Sequence, residues 1–226
     1  LEALERAAPY STRSAEYFAI LGFCQADTSL FYEHPDAAAV EQAHRNIRHA
    51  VAMDPTSAIV HYARAFAAML EGDIDTVRHV ARRMVECLPN SAFILGCSAF
   101  FSSTIGDHEQ AMAHYRDSLA LNLRHPAWFH VTPCFDHFQR GEFELALKAV
   151  NRIGLNDFFW EQLLKASLLG HLGRYQEAAE QSDRLLAYVP DFARRSDDII
   201  AIYALHPPLA MRVRRGLELA GTISPA

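Results

Sequence analysis

Between Thr56 and Pro89 the apolar positions fall into two runs, Ile59 to Leu70 and Ile74 to Leu88, with a polar turn at Gly72-Asp73 between them. The spacing within each run is helical, so the stretch predicts two antiparallel helices joined by a tight turn. The layout recurs along the chain. Gly106 follows Gly72 by 34 residues, Pro89 follows Pro55 by 34, and Gly173 to Pro190 repeats the spacing of Gly72 to Pro89. Alternating apolar and polar runs bounded by turn residues are absent, so no strand is predicted and the fold class is all-α.

The same pattern divides the chain into five units and an ending. The units span about 12–55, 56–89, 90–123, 124–156 and 157–190, with a cap over 191–221. Residues 1 to 9 predict a short helix or a frayed start. A long helix follows from Ser11 to Tyr32, capped by Ser11 or Thr12. Gly22 inside it makes sense if a second helix packs closely there. The break at His34-Pro35-Asp36 leads into a helix that ends near Met53, capped by Asp36. The third unit turns at Gly106-Asp107, and its Asn122 occupies the slot that Asp54 holds in the first. Pro126 suits the first helical position of the fourth unit. That unit turns at Gly141-Glu142, and its second helix, Phe143 to about Arg152, is short; Gly154 and Asn156 then break the chain. Pro133 falls inside the fourth unit's first helix. There it removes a backbone hydrogen bond and predicts a kink. The ending predicts two helices broken at His206-Pro207-Pro208, of the kind a terminal cap requires.

A 34-residue helix–turn–helix period is that of the tetratricopeptide repeat (TPR). Phe18, Leu21, Gly22 and Gln25 echo the W-x2-L-G-x2-Y pattern, with two of its four residues changed. The chain therefore resembles the TPR family, and the resemblance implies a right-handed α-solenoid of about five repeats with a C-terminal capping helix. The segments at 125–147 and 168–192, and the ending LELAG, are similar to the C-terminal repeat regions of one group of bacterial signalling proteins. In that group the repeats follow an N-terminal winged-helix regulator or class III adenylate cyclase domain. The start LEALERAAPY carries no initiator Met, which fits a piece of such a longer chain.

In the family the first helices line a concave groove. Carrying over its groove positions gives Ile59, Tyr62, Phe66, Met69 and Leu70 in the second repeat, and Phe93, Gly96, Phe100 and Ser103 in the third. The fourth gives Trp128, Val131, Phe135 and Phe138; the fifth gives Trp160, Leu163 and Ser167. So apolar a surface predicts a binding site for an apolar peptide or helix, or one covered by the chain's own N-terminal segment, its C-terminal helix or a second copy. Chaperone-binding repeats clamp a terminal carboxylate with Lys, Arg and Asn. Tyr62, Phe66, Phe100 and Phe135 stand in comparable slots here and disfavour that ligand.

Composition narrows the partners. The 226 residues carry a net charge of −6, from 21 basic and 27 acidic side chains mixed along the chain. With no Lys/Arg block, neither nucleic acid nor an anionic membrane is expected as a direct partner. No apolar run reaches the ~18 residues of a membrane span, and no signal peptide is visible. The four cysteines lack C-x-x-C spacing and predict reduced, buried thiols in a cytoplasmic protein. His130, Cys134 and His137, four and three apart, would share one face of an α-helix and form a candidate metal site without a fourth ligand. No catalytic motif is present and no cofactor is expected. The expectation is a non-catalytic interaction or regulatory module of a signalling or transcription protein. It would bind a protein, a peptide, its own N-terminal domain or a second copy. The alternative is a small-molecule or metal sensor. Replacing Phe135 and Trp160 with Ser should abolish partner binding and leave helicity largely intact.

Overall fold

The computed structural model describes residues 3, 4, 6, 14–31, 37–154 and 159–225. The described residues form twelve α-helices, one 3-10 turn and no strand. They pair as α1 (Ala15–Phe31) with α2 (Ala37–Met53), α3 (Ala58–Leu70) with α4 (Ile74–Cys87), and α5 (Ala92–Thr104) with α6 (His108–Leu121). A 3-10 turn, Ala127–His130, precedes α7 (Val131–Arg140), which pairs with α8 (Phe143–Val150); α9 (Phe159–His171) pairs with α10 (Tyr175–Tyr188). The C-terminal pair is α11 (Phe192–Tyr203) and α12 (Pro207–Leu219).

Local chemistry sets the ends of these helices. Ser57 and Ser91 cap α3 and α5 by accepting the amides of Val60 and Ile94, and Asp73 caps α4 by accepting that of Thr76. Ser14 accepts the amide of Tyr17 at the start of α1; the expected caps Ser11, Thr12 and Asp36 lie outside the described residues, as does most of the predicted helix over 1 to 9. The turns after α3, α5, α7 and α9 share one device. Gly72, Gly106, Gly141 and Gly173 sit at φ of 69–85°, and the next residue's amide reaches five residues back, as from Asp73 to Ala68 and from Glu142 to His137. This left-handed glycine cap closes the carbonyl end of a helix and reverses the chain in few residues. Asp54 and Asn122 do the same work at their junctions, each accepting an amide two residues ahead.

Second helices are one-sided. In α4 the buried residues are Val77, Val80, Ala81 and Met84, a single apolar stripe. First helices are enclosed nearly all round, as in α3, where Ala58, Ala63, Ala65, Ala67 and Ala68 are all buried. Small residues there let neighbouring helices approach. Gly22 shows how close: a Cβ on it would lie 2.7 Å from Ile47 Cγ1 and 2.8 Å from the Ala43 carbonyl oxygen. First helices contact first helices, α1 to α3, α3 to α5 and α5 to α7, and each pair stacks on the next.

Two features depart from the expectations. Pro133 is not in a helix interior. The helical path changes from the 3-10 turn to α7 at His130, and Pro133 is the third residue of α7, where its missing N–H costs little. The break is real but lies upstream of the proline. The second departure is the C-terminal pair, which does not simply extend the stack. α12 lies against α7 and α9, and α11 reaches α3. The His206 amide donates to the Thr104 carbonyl at 2.9 Å, which ties the α11–α12 connection to the end of α5.

Candidate functional site

A cavity of about 410 Å³ opens on the side formed by the first helices. Every helical pair contributes to it: Phe23 and Asp27 from α1, Tyr62 and Phe66 from α3, Phe93 and Phe100 from α5, Trp128 from the 3-10 turn, Val131 and Phe135 from α7, and Trp160, Glu161 and Leu164 from α9. Ile153 and, from α11, Tyr203 complete the wall. Nine of these fourteen side chains are aromatic, and they hold one another in place. Phe23 meets Phe66 edge-on at 4.7 Å, Phe100 meets Trp128 at 5.8 Å, and Trp160 meets Tyr203 at 4.3 Å. Such edge-to-face pairs add to burial and fix where each ring face points.

Eight of the sixteen expected groove positions line this cavity: Tyr62, Phe66, Phe93, Phe100, Trp128, Val131, Phe135 and Trp160. Met69, Phe138 and Leu163 do not; all three are fully buried in the main core. Phe138 and Leu163 belong to the two helices that α12 covers. Ser167, another groove expectation, donates its hydroxyl to the Val213 carbonyl of α12 at 2.7 Å. The C-terminal pair thus fills the groove at its fifth-repeat end and leaves the aromatic part open. Phe93 remains 43 % exposed, whereas Phe135 and Trp160 are 1 % and 3 % exposed. Phe135 and Trp160 are core residues whose inner edges form the cavity, so replacing both with Ser would cost stability as well as cavity wall.

Sequence reasoning missed Phe23, Asp27, Ile153, Glu161, Leu164 and Tyr203. Phe23 and Asp27 are four apart on a first helix, a spacing that could have found them. On α9 the lining runs Trp160, Glu161, Leu164 rather than Trp160, Leu163, Ser167, a shift of one face. Tyr203 comes from a helix read only as a cap.

The lining contains two carboxylates. Glu161 is buried and paired with Lys165 one turn along α9. Asp27 is partly buried, and desolvation pushes its carboxyl up to about 6. Burial also pushes the Tyr62 and Tyr203 phenols upward, and the Asp27 charge adds to both shifts. A carboxyl with a raised folded pKa holds its proton in the fold where the unfolded chain has lost it. Ionising it therefore costs the folded state, and stability falls as pH rises from about 4 through 6. Asp27→Asn should leave stability unchanged near pH 3 and raise it by about 1–3 kcal/mol at pH 7.5, discounted for partial solvent access. Urea unfolding at the two pH values checks this; equal midpoints at pH 7.5 would show that Asp27 is well solvated.

The candidate metal residues do not converge. His130 is buried, with its Nδ1 2.7 Å from the Tyr115 hydroxyl. Desolvation, then Arg152 and His125, lower its pKa to about 4. Cys134 is fully buried, and burial pushes its thiol far up. His137 points to the surface and pairs with Glu142 at 2.7 Å. The shared-face expectation fails on the partners of each side chain: His130 is held by Tyr115, Cys134 is enclosed in the core and His137 is drawn to Glu142. Among the described residues no group of three or more His, Cys, Asp or Glu could hold a metal ion.

No family model and no curated protein matches the chain. Solved structures do. One is similar to the APC/C hetero-tetramer Cut9–Hcn1, with TM-score 0.65 and 13 % identity over 96 % of this chain; the match spans 42 % of that chain. A thermophilic TPR protein of Thermus thermophilus matches at TM-score 0.60 and 17 % identity, over 85 % of this chain and 98 % of that one. A tetratricopeptide repeat protein of Parabacteroides merdae matches at TM-score 0.58 and 13 % identity, over 97 % and 90 %. No helix among the described residues is long and apolar enough to cross a membrane. With its stacked helical pairs and left-handed glycine turns, the chain has the all-α solenoid fold of the tetratricopeptide-repeat proteins.

Proposed function

We propose that the chain is a protein-binding module whose aromatic cavity receives a segment of a partner protein. The observation that carries this reading is the convergence of nine aromatic side chains, drawn from all five helical pairs and α11, on one open cavity. Large rigid rings around a solvent-accessible opening are the composition of binding hot spots. The similarity of residues 125–147 and 168–192 to the repeat regions of bacterial signalling proteins supports a regulatory role in the cytoplasm, with another protein or an N-terminal regulator or cyclase domain as the partner. The described lining is mainly aromatic and aliphatic, a composition suited to binding a partner segment.

Both tryptophans of the chain, Trp128 and Trp160, line the cavity, so their emission reports its occupancy. Titration with capped apolar tripeptides should shift that emission. Phe93→Ser, at an exposed position, should weaken the binding at least about tenfold, as expected for a hot-spot aromatic, while changing stability by less than about 1 kcal/mol. Equal affinity in variant and wild type would remove the cavity as the binding site.

A further inference from the structure

The cavity is apolar but not neutral, and its charge has one sign. Among the described lining residues the carboxylates are Asp27 and Glu161, and none is cationic. Lys165 offsets Glu161 from outside the lining, which leaves Asp27 as the uncompensated charge. The remaining ionisable lining groups, Tyr62 and Tyr203, are held protonated by burial. The aromatic faces of Phe23, Tyr62, Phe100, Trp128, Trp160 and Tyr203 share the space with that carboxylate. An aromatic wall with a carboxylate set into it attracts a cation twice, through the ring quadrupoles and through the charge.

We infer that the cavity seats a cationic side chain of the partner protein, arginine ahead of lysine, between its aromatic faces and the Asp27 carboxylate. The inference rests on the protein-binding reading and names the chemistry of its ligand. Arginine is favoured because its planar guanidinium stacks on rings, is weakly hydrated and matches a carboxylate with two parallel hydrogen bonds. The uncompensated Asp27 charge then has a reason to be there. It costs the free protein stability and is recovered on binding, a common trade at functional sites.

The test compares two probes of nearly equal shape by tryptophan emission: acetyl-Leu-Arg-Leu-amide and acetyl-Leu-citrulline-Leu-amide, whose neutral ureido group carries an oxygen in place of one guanidinium nitrogen. At pH 7.5 the arginine peptide should bind about tenfold tighter than the citrulline peptide, a difference in the range of desolvated cation–π and charge contacts. The preference should shrink at pH 5, where Asp27 is mostly protonated. It should vanish in Asp27→Asn, a substitution that removes a buried charge and is expected to fold. Equal binding of the two peptides at pH 7.5, or a preference that survives in Asp27→Asn, would overturn the inference and leave the protein-binding reading standing. If neither peptide perturbs the emission, both fail.

Discussion

Gly170→Val should destabilise the protein by about 3 kcal/mol or more, at the upper end of overpacking effects. The reason is backbone-to-backbone contact between α9 and α12. A Cβ on Gly170 would lie 2.1 Å from the Gly216 carbonyl oxygen and 2.9 Å from the Ala220 amide nitrogen. A Cβ on Gly216 would lie 2.2 Å from the Ser167 hydroxyl and 2.3 Å from the Ser167 carbonyl oxygen. The atoms in the way at Gly170 are backbone and cannot turn aside. Ser167 to the Val213 carbonyl and His171 to the Arg212 carbonyl are hydrogen bonds that hold the helices at this distance. Separating them also uncovers the buried apolar residues Leu209, Val213 and Leu217 of α12. Urea unfolding measures the loss, with Gly170→Ala expected between wild type and Val. A Val variant within about 0.5 kcal/mol of wild type, the range of uninvolved surface positions, would mean that α12 does not pack on α9.

Phe135→Ala is the second large effect, a loss of about 3–5 kcal/mol, as for other buried phenylalanines. Phe135 is fully buried in the main core and also lines the cavity. Removing the ring both loses its burial and enlarges the existing cavity, so the walls have little to collapse onto. The expected signature is a lower urea midpoint with an unchanged slope. A loss below about 1 kcal/mol would place Phe135 in a site that relaxes freely. The contrast with Phe93→Ser is instructive: two phenylalanines on the same cavity separate stability from binding because only one has its back to the core.

The hairpins were legible in the sequence because each is written locally. The glycines at 72, 106, 141 and 173 mark helix ends within a few residues, and the apolar runs between them have a helical period. The cavity was legible to the extent that it repeats from one hairpin to the next, which is how Tyr62, Phe66, Phe100 and Trp128 could be placed. What the period could not carry was everything set by contacts between distant segments. Tyr203 enters the cavity because α11 turns back over the stack, and Phe138 and Leu163 lie on the two helices that α12 packs against. Periodicity assigns a face to a residue but does not say whether another element will cover that face. The His130–Cys134–His137 expectation failed more locally. The spacing places the three residues on neighbouring positions of one helix, but Tyr115, the core and Glu142 each draw one side chain away from the others.

The tie between His206 and Thr104 has a bearing on how the chain comes apart. Stacked repeats that touch only their neighbours behave as a one-dimensional array, in which loss of order begins at an end and spreads. Here the last helical pair reaches back to α3 and α5, so the C-terminal end is anchored in the middle of the stack. Opening the C-terminal pair would uncover parts of α3 and α5 as well. The chain gains cooperativity between segments a hundred residues apart, and it gives up the end-by-end independence that an open solenoid has.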